Sequence, residues 1–168
     1  MKKILFGLFT LLFALSIWNC EKDDICEDGT PTTPKLIIEF YDNDNPTNTK
    51  NVTDLKVTAE GMTSSLEYNA VSKIELPLKT DADLVKYNLV LNSKNADITL
   101  QNEDKITINY TRKDIYISRA CGFKTLYNLN TNPNGMPLTT DSNNWIKEIK
   151  IQKFTIENEN ETHVKIFF

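Results

Sequence analysis

His163 is the only histidine in the chain and stands two positions after Glu161. Nucleophilic catalysis of the Ser-His-Asp or Cys-His kind needs a nucleophile, a base and a group that orients the base. Any such centre would hang on this one residue. Its place beside a terminal apolar alternation instead predicts a solvated side chain at a strand end. Catalytic zinc draws on two or three histidines or a mixed histidine and cysteine set, which this inventory does not offer. Five scattered glycines form no phosphate cradle. Asp42-Asn43-Asp44-Asn45-Pro46 begins like a calcium loop, with oxygen ligands at alternate positions. Pro46 then occupies the third ligand position, no glycine follows, and no glutamate stands twelfth, so a hairpin turn is expected there. Glu157, Glu159 and Glu161 are expected to face water in a turn, because a glycosidase pair also needs a cleft that nothing in the sequence indicates. No catalytic residue, metal ligand or cofactor is therefore expected.

Arg119 falls in phase with Ile115 and Ile117, two positions before Cys121. A core-facing arginine must be paired, since an unpaired buried charge is too costly. The expectation is a buried ion pair close to Cys121. The alternative is an anchor for a carboxylate or phosphate on a ligand, which a guanidinium fork suits.

The cysteines carry the strongest signals. Lys2 and Lys3 precede an uncharged, mainly apolar run from Ile4 to Trp18, which matches the central region of a signal peptide. That run is shorter than the ~20 apolar residues a membrane-spanning helix needs. Cys20 follows at once, ahead of Glu21-Lys22-Asp23-Asp24. A cysteine at this junction looks like a lipobox, with Ile17 fitting the pattern and Trp18-Asn19 departing from the usual small residues. The expectation is a lipoprotein precursor: residues 1–19 are the signal peptide, and Cys20 carries the lipid that holds the chain to a membrane. Ordinary cleavage after Ser16, leaving a spare thiol, is the alternative. Cys26 and Cys121 then form the one intramolecular pair available, in an export compartment that permits oxidation. Closing 95 residues removes denatured-state entropy worth roughly 4 to 5 kcal/mol in the chain-entropy model. Two free thiols are the competing reading.

Charge narrows the partners. The 168-residue chain has a formal charge of −4, and its first 19 residues hold two lysines and no acid, so the part from Cys20 onward carries −6. Nucleic acid is excluded as a partner, because its binding needs a basic footprint. Electrostatic docking on anionic headgroups is excluded too, which leaves any membrane attachment to the lipid on Cys20.

After Cys20, period-two alternation recurs and no helical periodicity with caps does. Leu36, Ile38 and Phe40 lead, followed by Leu55, Val57 and Ala59, and by Ile74, Leu76 and Leu78, where Pro77 places the strand at an edge. Further sets are Val85 to Leu91, Ile98 and Leu100, Ile106 to Tyr110, and Ile115 with Ile117. Ile149 and Ile151 change phase to Phe154 and Ile156, which suggests a bulge. Val164, Ile166 and Phe168 close the chain. About nine short strands between Asn, Asp, Gly and Pro clusters predict an all-β fold, an antiparallel β-sandwich of immunoglobulin-like architecture. Residues 20–34 read as a polar tether and 35–168 as a single domain. Asn128 to Asn144 is the longest interval without a strand signal, and loops of that length are often functional.

Two segments, CEDGTPTTPKLIIEFYDNDNPT at residues 26–47 and YISRACGFKTLYNL at residues 116–129, resemble an uncharacterised family of Bacteroidota lipoproteins, a domain of unknown function. The resemblance implies a cell-envelope lipoprotein and adds weight to a Cys26–Cys121 pair. It implies no activity. The acidic run after Cys20 is similar to the signal that sends such lipoproteins to the outer face of the outer membrane, so a surface-facing position is expected ahead of a periplasmic one. The expected function is a non-catalytic module that binds a protein or glycan through loops on a rigid scaffold, with Asn128–Asn144 and Trp145 the first place to look. A structural subunit of an outer-membrane complex is the alternative, and a small hydrolase the third.

Overall fold

Strands in this chain form where β-branched and aromatic residues alternate with polar ones, and several of them stop at an Asp, Asn or Pro, as at Asp42, Asn69, Pro77, Asn92 and Asn130. The computed structural model describes residues 25–131 and 133–168. The lipid site at Cys20 and the signal peptide lie outside the described residues. Eleven strands follow in order: β1 (Leu36–Tyr41), β2 (Leu55–Ala59), β3 (Leu66–Tyr68), β4 (Lys73–Leu76), β5 (Leu84–Leu91), β6 (Asn102–Ser118), β7 (Gly122–Leu129), β8 (Leu138–Thr139), β9 (Glu148–Ile151), β10 (Thr155–Ile156) and β11 (Val164–Phe167). No described helix is long and apolar enough to cross a membrane.

The described chain divides into two compact units, one of residues 25–31 with 116–123, the other of 32–115 with 124–168. The larger unit is a two-sheet sandwich. One sheet has the order β4-β1-β11-β9, and the other runs β10-β7-β6-β5-β2-β3, with β8 beside β6. Nearly every pairing is antiparallel, as expected. The exception is β1 with β11, which run parallel with Ile38 opposite Val164 and Phe40 opposite Ile166. First and last strands thus lie side by side at the centre of the smaller sheet. β4 is an edge strand ending at Leu76, which is where Pro77, with no N–H to give, must stop it.

The core lies between the two sheets. Leu36, Ile38, Phe40, Ile74, Leu76, Val164 and Ile166 from the smaller sheet meet Leu55, Val57, Val85, Leu89, Ile106 and Ile108 from the larger one. Each set occupies alternate positions, which is the period that puts one row of side chains on one face.

Four sequence readings change. Ile98 and Leu100 do not form a strand: Ile98–Leu100 is a 3-10 turn, capped by Asp97, whose carboxylate accepts from the Thr99 N–H at 2.9 Å, and both apolar side chains are exposed. Ile106–Tyr110 and Ile115–Ile117 belong to one 17-residue strand, β6. The phase change after Ile151 marks a change of sheet and no bulge, since β9 pairs with β11 and β10 pairs with β7. The stretch read as a tether also ends early. Thr33 Oγ1 accepts from the Thr125 N–H at 2.9 Å, and Pro34 is buried.

The smaller unit is held by a Cys26–Cys121 disulfide with a Cα–Cα distance of 4.9 Å. Cys121 N–H donates to Ser118 Oγ at 3.0 Å, closing the turn between β6 and β7. Gly122 follows with φ +70°, a left-handed conformation that glycine adopts without a Cβ penalty.

Candidate functional site

The burial pattern of the larger sheet fixes which side chains can form a surface site. Ile106, Ile108 and Tyr110 of β6, Tyr127 and Leu129 of β7 and Ile156 of β10 point into the core. Their neighbours in sequence must point outward. Where β6, β7 and β10 lie side by side, these outward residues are Thr111, Lys113, Leu126, Asn128, Thr155 and Glu157, and together with Arg112 and Tyr127 they line an open cavity of about 280 Å³. β10 is only two residues long and pairs just with Tyr127 and Asn128. A short third strand leaves a step at the sheet margin, and the cavity is that step.

Its chemistry is that of hydrogen bonding with both signs of charge present. Two threonine hydroxyls, one carboxamide, an ammonium and a carboxylate face one space, with the Leu126 side chain as an apolar patch. Arg112 is held in place from behind: its Nε donates to Asp83 Oδ1 at 2.6 Å, and a further guanidinium N–H donates to the Thr80 carbonyl. Tyr127 makes a rigid floor. Its ring packs edge-on against Tyr110 with centroids 5.2 Å apart, and its hydroxyl donates to the Leu78 carbonyl at 3.2 Å. Burial, and secondarily the negative charge Tyr110 would bear, push its phenol up to about 12.

The sequence singled out several residues that the structure places elsewhere. His163 is not solvated but only 1% exposed. It sits just before β11, where Nδ1 accepts a hydrogen bond from the Ile37 N–H at 3.0 Å, while the His163 N–H donates to the Ile37 carbonyl at 3.1 Å. Nδ1 as acceptor leaves the proton on Nε2 in the neutral ring. Nε2 is itself buried and meets no partner at hydrogen-bonding geometry. Burial lowers the imidazole's pKa below its usual range. Glu161 opposes that, Lys153 and Lys73 reinforce it, and the Asn158 backbone opposes it only weakly. With Nδ1 committed to the backbone and Nε2 buried, the ring is built into the packing beside the first strand.

Trp145, expected at the edge of a binding loop, is 6% exposed. Its ring packs at 6.2 Å from Phe40 and 5.4 Å from Phe168, and Nε1–H donates to the Leu89 carbonyl at 3.3 Å. The interval before it is no free loop either. Asn109 and Thr107 donate to the Gly135 and Pro137 carbonyls at 2.8 and 3.0 Å, so the segment runs alongside β6, and Met136 is buried. A second open cavity, of about 290 Å³, does border this segment, lined by Pro133, Met136, Leu138, Lys147, Glu148 and Ile149.

Arg119 is exposed, which corrects the expectation of burial. β6 ends at Ser118, and beyond a strand end the alternation that placed Arg119 inward no longer applies. The three glutamates diverge. Glu157 lines the cavity, Glu159 Oε1 accepts from the Lys35 N–H at 2.9 Å, and Glu161 pairs with Lys153. At the Asp42 turn, the carboxylate accepts from the Asp44 N–H at 3.1 Å and lies 3.7 Å from Lys50 Nζ, while Asp42 N–H donates to the Asn48 carbonyl at 3.0 Å. That is the hairpin arrangement. Among the described residues, no three His, Cys, Asp or Glu groups come together to hold a metal ion.

One buried acid escaped the sequence reading. Asp104, on β6, accepts from the Ile146 N–H at 2.8 Å and from Asn144 Nδ2 at 3.0 Å, which pins the approach to Trp145. Its only local sign was an acid in a strand otherwise buried at alternate positions.

No curated protein and no solved structure gives a significant match to the chain. A family model does, over residues 54–168, a span that takes in every strand from β2 to β11 and all residues of the β6–β7–β10 cavity. On that match the chain belongs to DUF6452, a family of unknown function.

Proposed function

We propose that this chain is a non-catalytic envelope lipoprotein of a Bacteroidota cell, anchored to the outer membrane by lipid on Cys20, that binds a protein or glycan in the β6–β7–β10 groove. The groove carries the reading: Thr111, Lys113, Asn128, Thr155 and Glu157 present donors and acceptors on a rigid sheet, which suits a polar chain laid across it. The lone histidine takes no part, since it is buried and does not line the groove. The disulfide supports the anchor, because pairing Cys26 with Cys121 leaves Cys20 as the one remaining cysteine and belongs in an oxidising compartment. The alternative, a structural subunit docked through a free strand edge, has less support. Beyond the reach of β10, the Thr125 N–H of β7 is already taken by Thr33 Oγ1.

The test is amide chemical-shift mapping of the isotope-labelled mature chain against outer-membrane polysaccharide fragments and envelope-derived peptides. Shifts are expected at Thr111–Lys113, Leu126–Asn128 and Thr155–Glu157, and are expected to vanish in Lys113→Ala with Glu157→Ala. Shifts centred elsewhere, or binding unchanged in the double variant, would overturn the reading.

A further inference from the structure

The smaller unit exposes more apolar surface than a solvated turn requires. Tyr116 and Phe123, facing each other across the ends of β6 and β7, are 55% and 68% exposed, and their rings meet edge-to-face at 5.3 Å. Ile25, next to the disulfide, is 80% exposed. Cys26 and Cys121 join this hairpin end covalently to the N-terminal segment. Five residues lie between Cys20 and Cys26, and the six steps, at no more than ~3.6 Å each, span at most about 22 Å. An acyl group on Cys20 would therefore confine the hairpin end to within that distance of the headgroup layer.

We infer that the β6–β7 hairpin end is a membrane-docking surface that seats Tyr116 and Phe123 in the interfacial layer of the bilayer to which Cys20 is acylated; this rests on the lipid-anchor reading above. Aromatic residues concentrate at that layer, and a tyrosine there keeps its hydroxyl wet while its ring is buried. The contact is apolar in origin. Glu27 and Asp28 are exposed in the same unit as Arg119, so the charge there is net negative and offers nothing to anionic lipid. The disulfide sets the orientation. It makes the hairpin end, rather than any other face of its unit, the part tied to the anchored segment.

The acylated full-length protein, purified from membranes in detergent and reconstituted into phosphatidylcholine vesicles, provides the test. Phe123→Trp adds one reporter to the buried Trp145. Its added emission should shift to the blue on reconstitution, and lipids brominated in the upper acyl chain should quench it. The effect should be the same with and without phosphatidylglycerol. Tyr116→Trp serves as a second reporter if the first variant misfolds. Added emission that stays solvent-exposed and unquenched in both variants overturns the inference, and so does quenching that needs phosphatidylglycerol. A reporter that is buried in native membranes but solvent-exposed in vesicles also overturns it, in favour of a protein cover. Intact mass separates the two levels: unquenched emission with the diacylglyceryl mass present sinks this inference alone, whereas absence of that mass sinks the anchor.

Discussion

His163 Nδ1 accepts the Ile37 backbone N–H at 3.0 Å across 126 residues of sequence. Ile37 itself is fully buried yet stands outside the main core cluster, so this pair belongs to the other side of the smaller sheet. The loop leading to His163 is tied down beside it. Thr162 Oγ1 donates to Glu39 Oε2 at 3.2 Å, and Lys35 N–H donates to Glu159. A buried imidazole there joins the first strand to the last.

That arrangement makes stability depend on pH. The folded pKa of His163 is lowered, chiefly by burial, so below the ordinary value of about 6.5 the unfolded chain binds the proton more readily than the folded one. The stabilisation is complete above about pH 6.5 and falls as pH drops towards the folded pKa, by at most ~1.4 kcal/mol per pH unit. Urea unfolding between about pH 5 and 7 should show this slope in the native protein and lose it in His163→Phe. The variant should also be less stable at neutral pH by about 1–3 kcal/mol, because the Ile37 N–H loses its acceptor. Equal slopes in both proteins would refute the role given to this residue.

Trp145 is the only tryptophan from Cys20 onward, so its emission reports one site. It should peak at short wavelength and resist acrylamide. Trp145→Ala should cost about 3–5 kcal/mol, through lost contact with Phe40 and Phe168 and a cavity left behind. A red-shifted, readily quenched spectrum in the folded protein would contradict the packing.

The disulfide should appear in the intact mass of the oxidised protein, two hydrogens below the reduced form. Replacing Cys26 and Cys121 by alanine should lower stability by up to roughly 4 to 5 kcal/mol, the chain-entropy value for a loop of this length. Identical thermal midpoints with and without reductant would show that the bridge constrains nothing.

Cys20 should take up labelled palmitate in growing cells, and Cys20→Ala should take up none. Label retained in that variant would place the lipid elsewhere. An unlabelled native protein would mean ordinary signal-peptide cleavage.

Much of the fold was legible because a strand writes its burial into the sequence with period two. Leu36, Ile38 and Phe40, Ile106 to Tyr110, and Val164 with Ile166 all face the core as their alternation predicts. Pro77 marked the end of an edge strand for a local reason, the missing N–H. The cysteine count pointed to Cys26–Cys121 by arithmetic alone. The groove was not legible. Thr111, Asn128 and Thr155 are ordinary polar positions on three strands, and only the sheet order brings them together. The same limit explains His163, Trp145 and Arg119. Nothing near His163 in sequence announces Ile37, and Trp145 is buried by Phe40 of β1 and by Phe168, the residue after the neighbouring β11. Arg119 followed the strand's phase on paper, but the strand had already ended at Ser118. Periodicity and residue chemistry act within a few positions of one another, so the sequence by itself determined strand faces, turns and the disulfide. Which buried side chain meets which, and which outward ones share a cavity, depends on strand order and on contacts across a hundred residues, and only the tertiary structure decided those.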